Sequence, residues 1–301
     1  MKDNLAPRCG FIAIVGRPNV GKSTLLNALT GEKIAAVSKK PQTTRTRITG
    51  ILTKENVQYV FCDTPGFHVP KTRLGDRMIK EIGTAVTDVD CVLMVVEPEE
   101  SIHPAEKQLL ERFARQKCPV ILVINKCDVF KGEIIPKTIA MFADSCDFAA
   151  VIPISALEKQ HLEDIFQELE PFVGEGEWLF PSDMITDQPE RAIVAETIRE
   201  KLLRLLDKEV PHGVAVVIEG FEDVRGHLLK IRAEIYCEKE SHKKIIIGKD
   251  GAMLKKVGTY AREDLEAFFG VKVALDLWVK VKEKWRDNEV LLKNFGFPGD
   301  D

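Results

Sequence analysis

The 301-residue sequence has no cysteine pair spaced CxxC, no bilayer-length apolar run, and no internal repeat or low-complexity tract. Its seven cysteines (Cys9, Cys62, Cys91, Cys118, Cys127, Cys146, Cys237) are scattered and odd in number. That pattern excludes a disulfide framework and a thiolate metal site, and it reads as buried thiols in a reducing cytosol. The longest apolar runs, CVLMVV and PVILVI, fall far short of the roughly 20 residues that a membrane helix needs. The opening stretch MKDNLAPRCGFIAIVG carries neither a signal-peptide pattern nor an Arg-rich transit pattern, so a cytoplasmic protein is expected. A basic excess is also missing. With 43 basic against 47 acidic residues the net charge is -4, so any nucleic-acid site must be a local patch.

At this length two domains are expected. Through about residue 173, short apolar runs (FIAIVG, VQYVFCD, CVLMVVE, PVILVIN, AAVIPIS) alternate with amphipathic stretches such as HPAEKQLLERFARQ. Strands apolar on both faces, separated by helices, predict an α/β domain built on a mostly parallel sheet with helices on both sides. Residues 174–188, with glycines, a proline and charges, read as a linker. Residues 189–301 then predict the order α-β-β-α-α-β. The first two strands are an antiparallel pair, the helices begin near Pro189 and Ser241, and the last helix runs to about Phe269. In the final strand Val271, Val273, Leu275, Leu277, Val279 and Val281 share one face, with Lys272, Asp276, Trp278, Lys280 and Lys282 on the other.

The first domain carries four motifs at successive strand tips. GRPNVGKS at 16–23 follows FIAIV and precedes TLLNAL, the strand–loop–helix setting of a P-loop. Gly16 and Gly21 let the backbone curl through Arg17, Pro18, Asn19 and Val20 into Ser23 and Thr24, so that its N–H groups, absent only at Pro18, surround phosphate at a helix N-terminus. Lys22 is the candidate for the β- and γ-phosphates, and Ser23 the candidate ligand for Mg²⁺. DTPG (Asp63, Thr64, Pro65, Gly66) ends the next strand. Asp63 is suited to hold Mg²⁺, and Gly66 to bring an N–H to the γ-phosphate and pivot a mobile segment. NKCD at 125–128 suits guanine. Asp128 can accept from N1–H and the exocyclic amine, a donor pair that adenine lacks, while Asn125 braces the loop and the stem of Lys126 covers the base. In SAL (Ser155, Ala156, Leu157) the Ala156 N–H is the expected partner of guanine O6. Together these predict a GTP- and GDP-binding, GTP-hydrolysing domain.

Between P-loop and DTPG lies SKKPQTTRTRITG, where Thr43 or Thr44, with Thr44 preferred, completes the Mg²⁺ shell when the γ-phosphate is present. Lys22, Thr44 and Gly66 are thus the candidate catalytic positions. The residue after Gly66 is Phe67, where many GTPases carry a water-orienting glutamine, so slow intrinsic turnover is expected. Activation then has to come from elsewhere, either from a potassium ion held by Asn19 or from the bound partner.

GKDG at 248–251 sits between two helices in a lysine cluster. Residues 239–256 hold six lysines against Glu240 and Asp250, a local balance of +4, whereas 182–301 as a whole carry 21 basic and 23 acidic residues. That focus suits a KH loop gripping about four nucleotides, with Lys243, Lys244, Ile247, Gly248, Lys249, Gly251, Lys255 and Lys256 as candidate RNA contacts. Ile245, Ile246 and Ile247 are expected to be core contacts. Trp278 and Trp285 can stack bases but are expected to pack against lysine stems on a sheet face.

GRPNVGKS and DTPG resemble the translation-factor-related GTPases. TDQPER, AEIYCEKESHKKIIIGKDG and LDLWVKVKEKWRDNE narrow the resemblance to the Era family, over nearly the whole chain. Only one P-loop occurs, which disfavours tandem-domain relatives, and the tRNA-modifying relatives lack a KH module. The resemblance implies a type II KH domain that binds the 3′ region of small-subunit (16S) ribosomal RNA and assists its processing and 30S assembly, in a monomer. Asp250 departs from a simple loop by placing an acid beside the RNA path. The residues alone leave two alternatives open: a signalling GTPase docking a protein, and a switch peripheral to the inner membrane, for which no lipidation motif or basic amphipathic helix speaks. GTP is expected to order 38–46 and 66–80 and so to alter how the KH domain is presented.

Overall fold

The computed structural model describes residues 6–38, 40, 43–66, 73, 74, 76, 78, 89–115, 118–130 and 132–297. The chain divides into two units. One takes in Met1–Ala35, Thr44–Val69 and Met78–Asp187; the other takes in Ala36–Thr43, Pro70–Arg77 and Gln188–Asp301.

In the first unit the apolar runs become strands β1 (Arg8–Val15), β2 (Ile48–Lys54), β3 (Val57–Asp63), β4 (Cys91–Val96), β5 (Val120–Ile124) and β6 (Ala150–Pro153). They lie in the order β2-β3-β1-β4-β5-β6. All neighbours are parallel except β2 and β3. Helices α1 (Lys22–Thr30), α2 (Pro104–Phe113), α3 (Ile134–Ala143) and α4 (Leu162–Leu169) connect or follow them. β4 is buried at every residue, as a central strand covered on both faces must be. This arrangement brings the C-terminal ends of β1, β3, β5 and β6, and hence all four motifs, to one edge of the sheet.

The stretch expected to be a linker behaves differently. Gly174–Glu175 forms β7, antiparallel to the start of β1. Gln58 Oε1 accepts from the backbone N–H of Leu179 and Phe180 at 2.9 and 3.0 Å, and Ile51 N–H donates to Ile185 O at 2.8 Å. The chain thus stays hydrogen-bonded to the first unit up to the division after Asp187, because the edge strand β2 leaves backbone groups in need of partners.

The second unit contains α5 (Glu190–Leu205), β8 (Ala215–Val224), β9 (Leu228–Cys237), α6 (Glu240–Ile247), α7 (Ala252–Phe269), β10 (Lys272–Val281) and α8 (Glu289–Asn294). The α-β-β-α-α-β order is the expected one. The sheet runs β10-β9-β8, with β9 and β10 parallel and β8 and β9 antiparallel. Val194, Ile198 and Leu202 of α5, Ile246 of α6 and Val257, Ala261 and Leu265 of α7 pack on one sheet face with Ile231, Ala233, Ile235, Val273 and Val279. β10 alternates as predicted, with Val273 and Val279 buried and Lys272, Asp276, Trp278 and Lys280 exposed.

All seven cysteines are free. Burial pushes the Cys91 thiol up to about 12, so it is inert near neutral pH. Among the described residues no helix is long and apolar enough to cross a membrane.

Candidate nucleotide site and RNA-binding loop

β1 ends at Val15 and α1 begins at Lys22, so the loop between them leads into a helix N-terminus whose first N–H groups have no intrahelical partner. Gly16 (φ 152°) and Gly21 (φ 100°) have backbone conformations that disfavour side chains. A Cβ on Gly16 would strike the Val95 carbonyl, and one on Gly21 would strike Asn125 Nδ2. Lys22 arches over the loop, its Nζ donating to Gly16 O and Arg17 O at 3.1 Å each. Burial lowers the Lys22 pKa to about 8, opposed by the Asp63 carboxylate and reinforced by the Arg17 charge. Anionic phosphate in the curl would restore the charge that burial disfavours.

Three side-chain oxygens converge beside it. Ser23 Oγ donates to Asp63 Oδ2 at 2.7 Å, and Thr44 Oγ1 lies 2.8 Å from Ser23 Oγ and 3.2 Å from Asp63 Oδ2. Asp63 is fully buried, and its Oδ1 has no hydrogen-bond partner among the described residues. Burial pushes its carboxyl upward, against the pull of Lys22 and of the Ser23 and Thr44 hydroxyls. An all-oxygen set with an orphaned carboxylate atom fits a hard divalent cation such as Mg²⁺. The geometry also separates the two threonines: the Thr43 hydroxyl is turned to Lys40 O at 2.7 Å. Thr64 points elsewhere, its Oγ1 donating to Ile14 O at 2.9 Å. Gly66 lies against the P-loop, where a Cβ would come within 2.8 Å of Pro18. Phe67, and parts of the 38–46 and 66–80 segments, lie outside the described residues.

At the base-reading end, Asn125 Nδ2 donates to Val20 O at 2.8 Å and its Oδ1 accepts the Ala156 N–H at 2.9 Å. The Ala156 N–H, expected to meet guanine O6, is bonded here to the Asn125 side chain, which pairs an otherwise buried amide. Asp128 Oδ1 accepts from Ser155 Oγ at 2.6 Å, which fixes the orientation of the carboxylate. Leu157 is exposed. Lys126, at φ 66°, bends back so that its Nζ donates to Asn19 O at 2.7 Å. Asn19 itself is exposed at φ 69°.

The P-loop arginine uses its side chain outside the curl. The Arg17 side chain turns away from the curl to Glu106 (3.0 Å), Glu97 (3.4 Å) and Glu99, leaving only its backbone for phosphate. These glutamates escaped the motif reading because they belong to β4's exit and to α2. Only the HPAE capping box, with Glu106 accepting the His103 N–H at 2.9 Å, had a local sequence signal.

In the second unit GKDG joins α6 to α7 through a 3₁₀ turn, Lys249–Gly251. Gly248 (φ 73°, ψ 177°) lies in a region almost restricted to glycine, and its Cβ would come within 2.7 Å of Met253 Cβ. A Cβ on Gly251 (φ 76°) would meet nothing within 4 Å, so the loop is open on that side of Gly251. Asp250 is exposed at φ 50°. Lys244, Lys249, Lys255 and Lys256 are exposed and Lys243 is half-buried. Lys256 lies 5.8 Å from the Tyr260 ring centroid.

Two expectations are corrected here. Only Ile246 is fully buried; Ile247 packs partly and Ile245 is 49% exposed, because consecutive helix positions point about 100° apart. Trp285 is not on a sheet face but wholly buried, its Nε1 donating to Gly213 O at 3.0 Å, whereas Trp278 is 66% exposed.

A curled phosphate loop, a Ser–Thr–Asp oxygen cluster and two base-reading loops on one sheet edge define a P-loop GTPase, here joined to a KH module. Family models agree: one described as a 50S ribosome-binding GTPase matches residues 11–126, and one described as a KH domain matches 209–286. The chain is 49% identical to the GTPase Era of Clostridium kluyveri over 290 residues, covering 96% of this chain and 99% of that one. It is likewise 49% identical to the GTPase Era of Caldanaerobacter subterraneus subsp. tengcongensis over 294 residues, 97% of this chain and 99% of that one. A crystal structure of Era in complex with MgGDPNP and nucleotides 1506–1542 of 16S ribosomal RNA superposes with a TM-score of 0.92 at 38% identity, covering 97% of this chain and all of that one. An Aquifex aeolicus Era variant bound to GDP·AlF4⁻ gives the same TM-score at 37% identity, again over 97% of this chain and all of that one. The chain belongs to the Era GTPase family.

Proposed function

We propose that this GTPase binds the 3′ region of 16S ribosomal RNA through its KH loop and assists small-subunit maturation, with the bound nucleotide setting RNA affinity. The observation carrying the reading is the whole-chain similarity to an Era holding a GTP analogue and a 16S segment together. The orphaned Asp63 oxygen and the open approach at Gly251 support it from this chain's own residues.

In this reading the backbone N–H groups of the Gly16–Thr24 loop, which Pro18 lacks, and the Lys22 ammonium bind the phosphates, and Asp128, held by Ser155, reads guanine. Ser23, Thr44 and Asp63 hold Mg²⁺, which when bound neutralises charge on the β- and γ-phosphates. Thr44 and Gly66 respond to the γ-phosphate, and Phe67 leaves the attacking water without a side-chain acceptor, so turnover is slow until a partner or a potassium ion near Asn19 assists. Equal hydrolysis rates in potassium and sodium buffers would rule out the cation route. Lys243, Lys244, Lys249, Lys255 and Lys256 neutralise RNA phosphates around the GKDG loop.

Crosslinking with sequencing tests the assignment. Enrichment of the 16S 3′ region, lost on Gly251→Asp, is expected; enrichment of unrelated RNA with steep salt dependence would contradict it.

A further inference from the structure

Three carboxylates crowd the side of the P-loop, yet they do not share their work evenly. Arg17 has three acidic partners: Glu97, Glu99 and Glu106. Glu106 is pinned independently, since its other oxygen accepts the His103 N–H as part of the α2 cap. Glu99 is fixed through its backbone, its N–H donating to Thr138 Oγ1 at 3.1 Å. Removing Glu97 leaves Arg17 two carboxylates. Lys126 is the opposite case: Glu97 is its single acidic partner among the described residues, and the Asn19 carbonyl its other anchor. Glu97 is mostly buried, its side chain 16% exposed, and stands directly after β4 on the sheet edge that carries the nucleotide loops.

We infer that Glu97 is a positioning residue for the guanine base, acting through Lys126. The inference rests on the reading of the Lys126 stem as the cover of the base. A lysine side chain is long and loses much rotamer freedom when its stem must lie along a ring. Fixing the ammonium at its tip, between Glu97 and the P-loop carbonyl, lays the stem down before nucleotide arrives and removes that cost from binding. The same bridge joins the base-reading loop to the phosphate loop by one side chain. Glu97 touches no reacting atom, so its loss is felt in affinity and residence time, not in the chemical step.

The test compares full-length protein with Glu97→Gln, Lys126→Met, the double variant and Glu99→Gln, measuring GDP and non-hydrolysable GTP analogue affinity and dissociation rate. Glu97→Gln keeps the shape, so thermal melting reports whether each variant is folded. The expected result is about tenfold weaker binding of both nucleotides, mainly from faster dissociation. Glu99→Gln should stay within about twofold, and Glu97→Gln should add nothing further in the Lys126→Met background. Unchanged affinity in Glu97→Gln, or a full additional loss in the double variant, overturns the inference, because the second outcome routes the effect through Arg17. Failure of the parent protein to bind GDP would instead remove the nucleotide-site reading beneath it.

Discussion

Asn125 holds Ala156: the side-chain Oδ1 of one accepts the backbone N–H of the other at 2.9 Å, linking the loops after β5 and β6. The Asn125 amide also donates to Val20 O in the P-loop, so one buried side chain fastens three loops before any base is present. The two base-reading motifs are therefore a preassembled unit.

Asn125→Ala should remove both bonds and leave a buried N–H and carbonyl unpaired, costing about 2–4 kcal/mol of stability. Guanine nucleotide affinity should fall at least tenfold in the same protein. Thermal unfolding with and without GDP measures both effects, and a variant that keeps its melting temperature and its GDP affinity would contradict the fastening role.

Asp128→Asn changes the donors that the base must offer. The variant keeps an oxygen for the Ser155 hydroxyl, which donates at 2.6 Å in the parent, and presents an N–H where the carboxylate accepted. Affinity for guanine nucleotides should drop by about 10²-fold or more, while xanthine nucleotides, with an oxygen in place of the amine, should gain. Competition binding with GDP and XDP reads the exchange directly.

The glycines of GKDG should fail in different ways. Gly248→Ala brings a Cβ to 2.7 Å from Met253 and should destabilise the KH unit by about 1–3 kcal/mol or more. Gly251→Ala meets open space and should cost only about 1 kcal/mol for its positive φ, yet still weaken RNA binding. Unfolding curves paired with RNA titrations distinguish a folding defect from a contact defect.

Trp285→Ala should cost about 3–5 kcal/mol, since the indole is fully buried and its N–H bonded to Gly213. Trp278→Ala, at an exposed position, should stay within about 0.5 kcal/mol. Denaturant unfolding of the two variants is a direct comparison.

The motifs at 16–23, 63–66, 125–128 and 155–157 were readable because each couples a local pattern to a strand tip, and parallel strands collect their tips at one edge. The second unit's element order was readable for a similar reason: period-2 alternation in β10 and a glycine break between two helices are local signals. Long-range pairings were not. The motif places the Arg17 backbone but says nothing of its side chain, and only the fold brings Glu97, Glu99 and Glu106 against it. The choice of Thr44 over Thr43 likewise rests on which hydroxyl reaches Asp63, which adjacent identical residues cannot announce. The glycine- and proline-containing stretch after residue 173 resembles a linker by composition, but hydrogen bonds to Gln58 and Ile51 tie it to the first unit.

If nucleotide state governs RNA binding, the two nucleotide states must differ in RNA affinity. A 16S 3′-terminal fragment is titrated with full-length protein at fixed salt, once with GDP and once with a non-hydrolysable GTP analogue, both with Mg²⁺. Binding should be tighter in the analogue state by about tenfold, a coupling of about 1.4 kcal/mol. Equal affinities in the two states would contradict it.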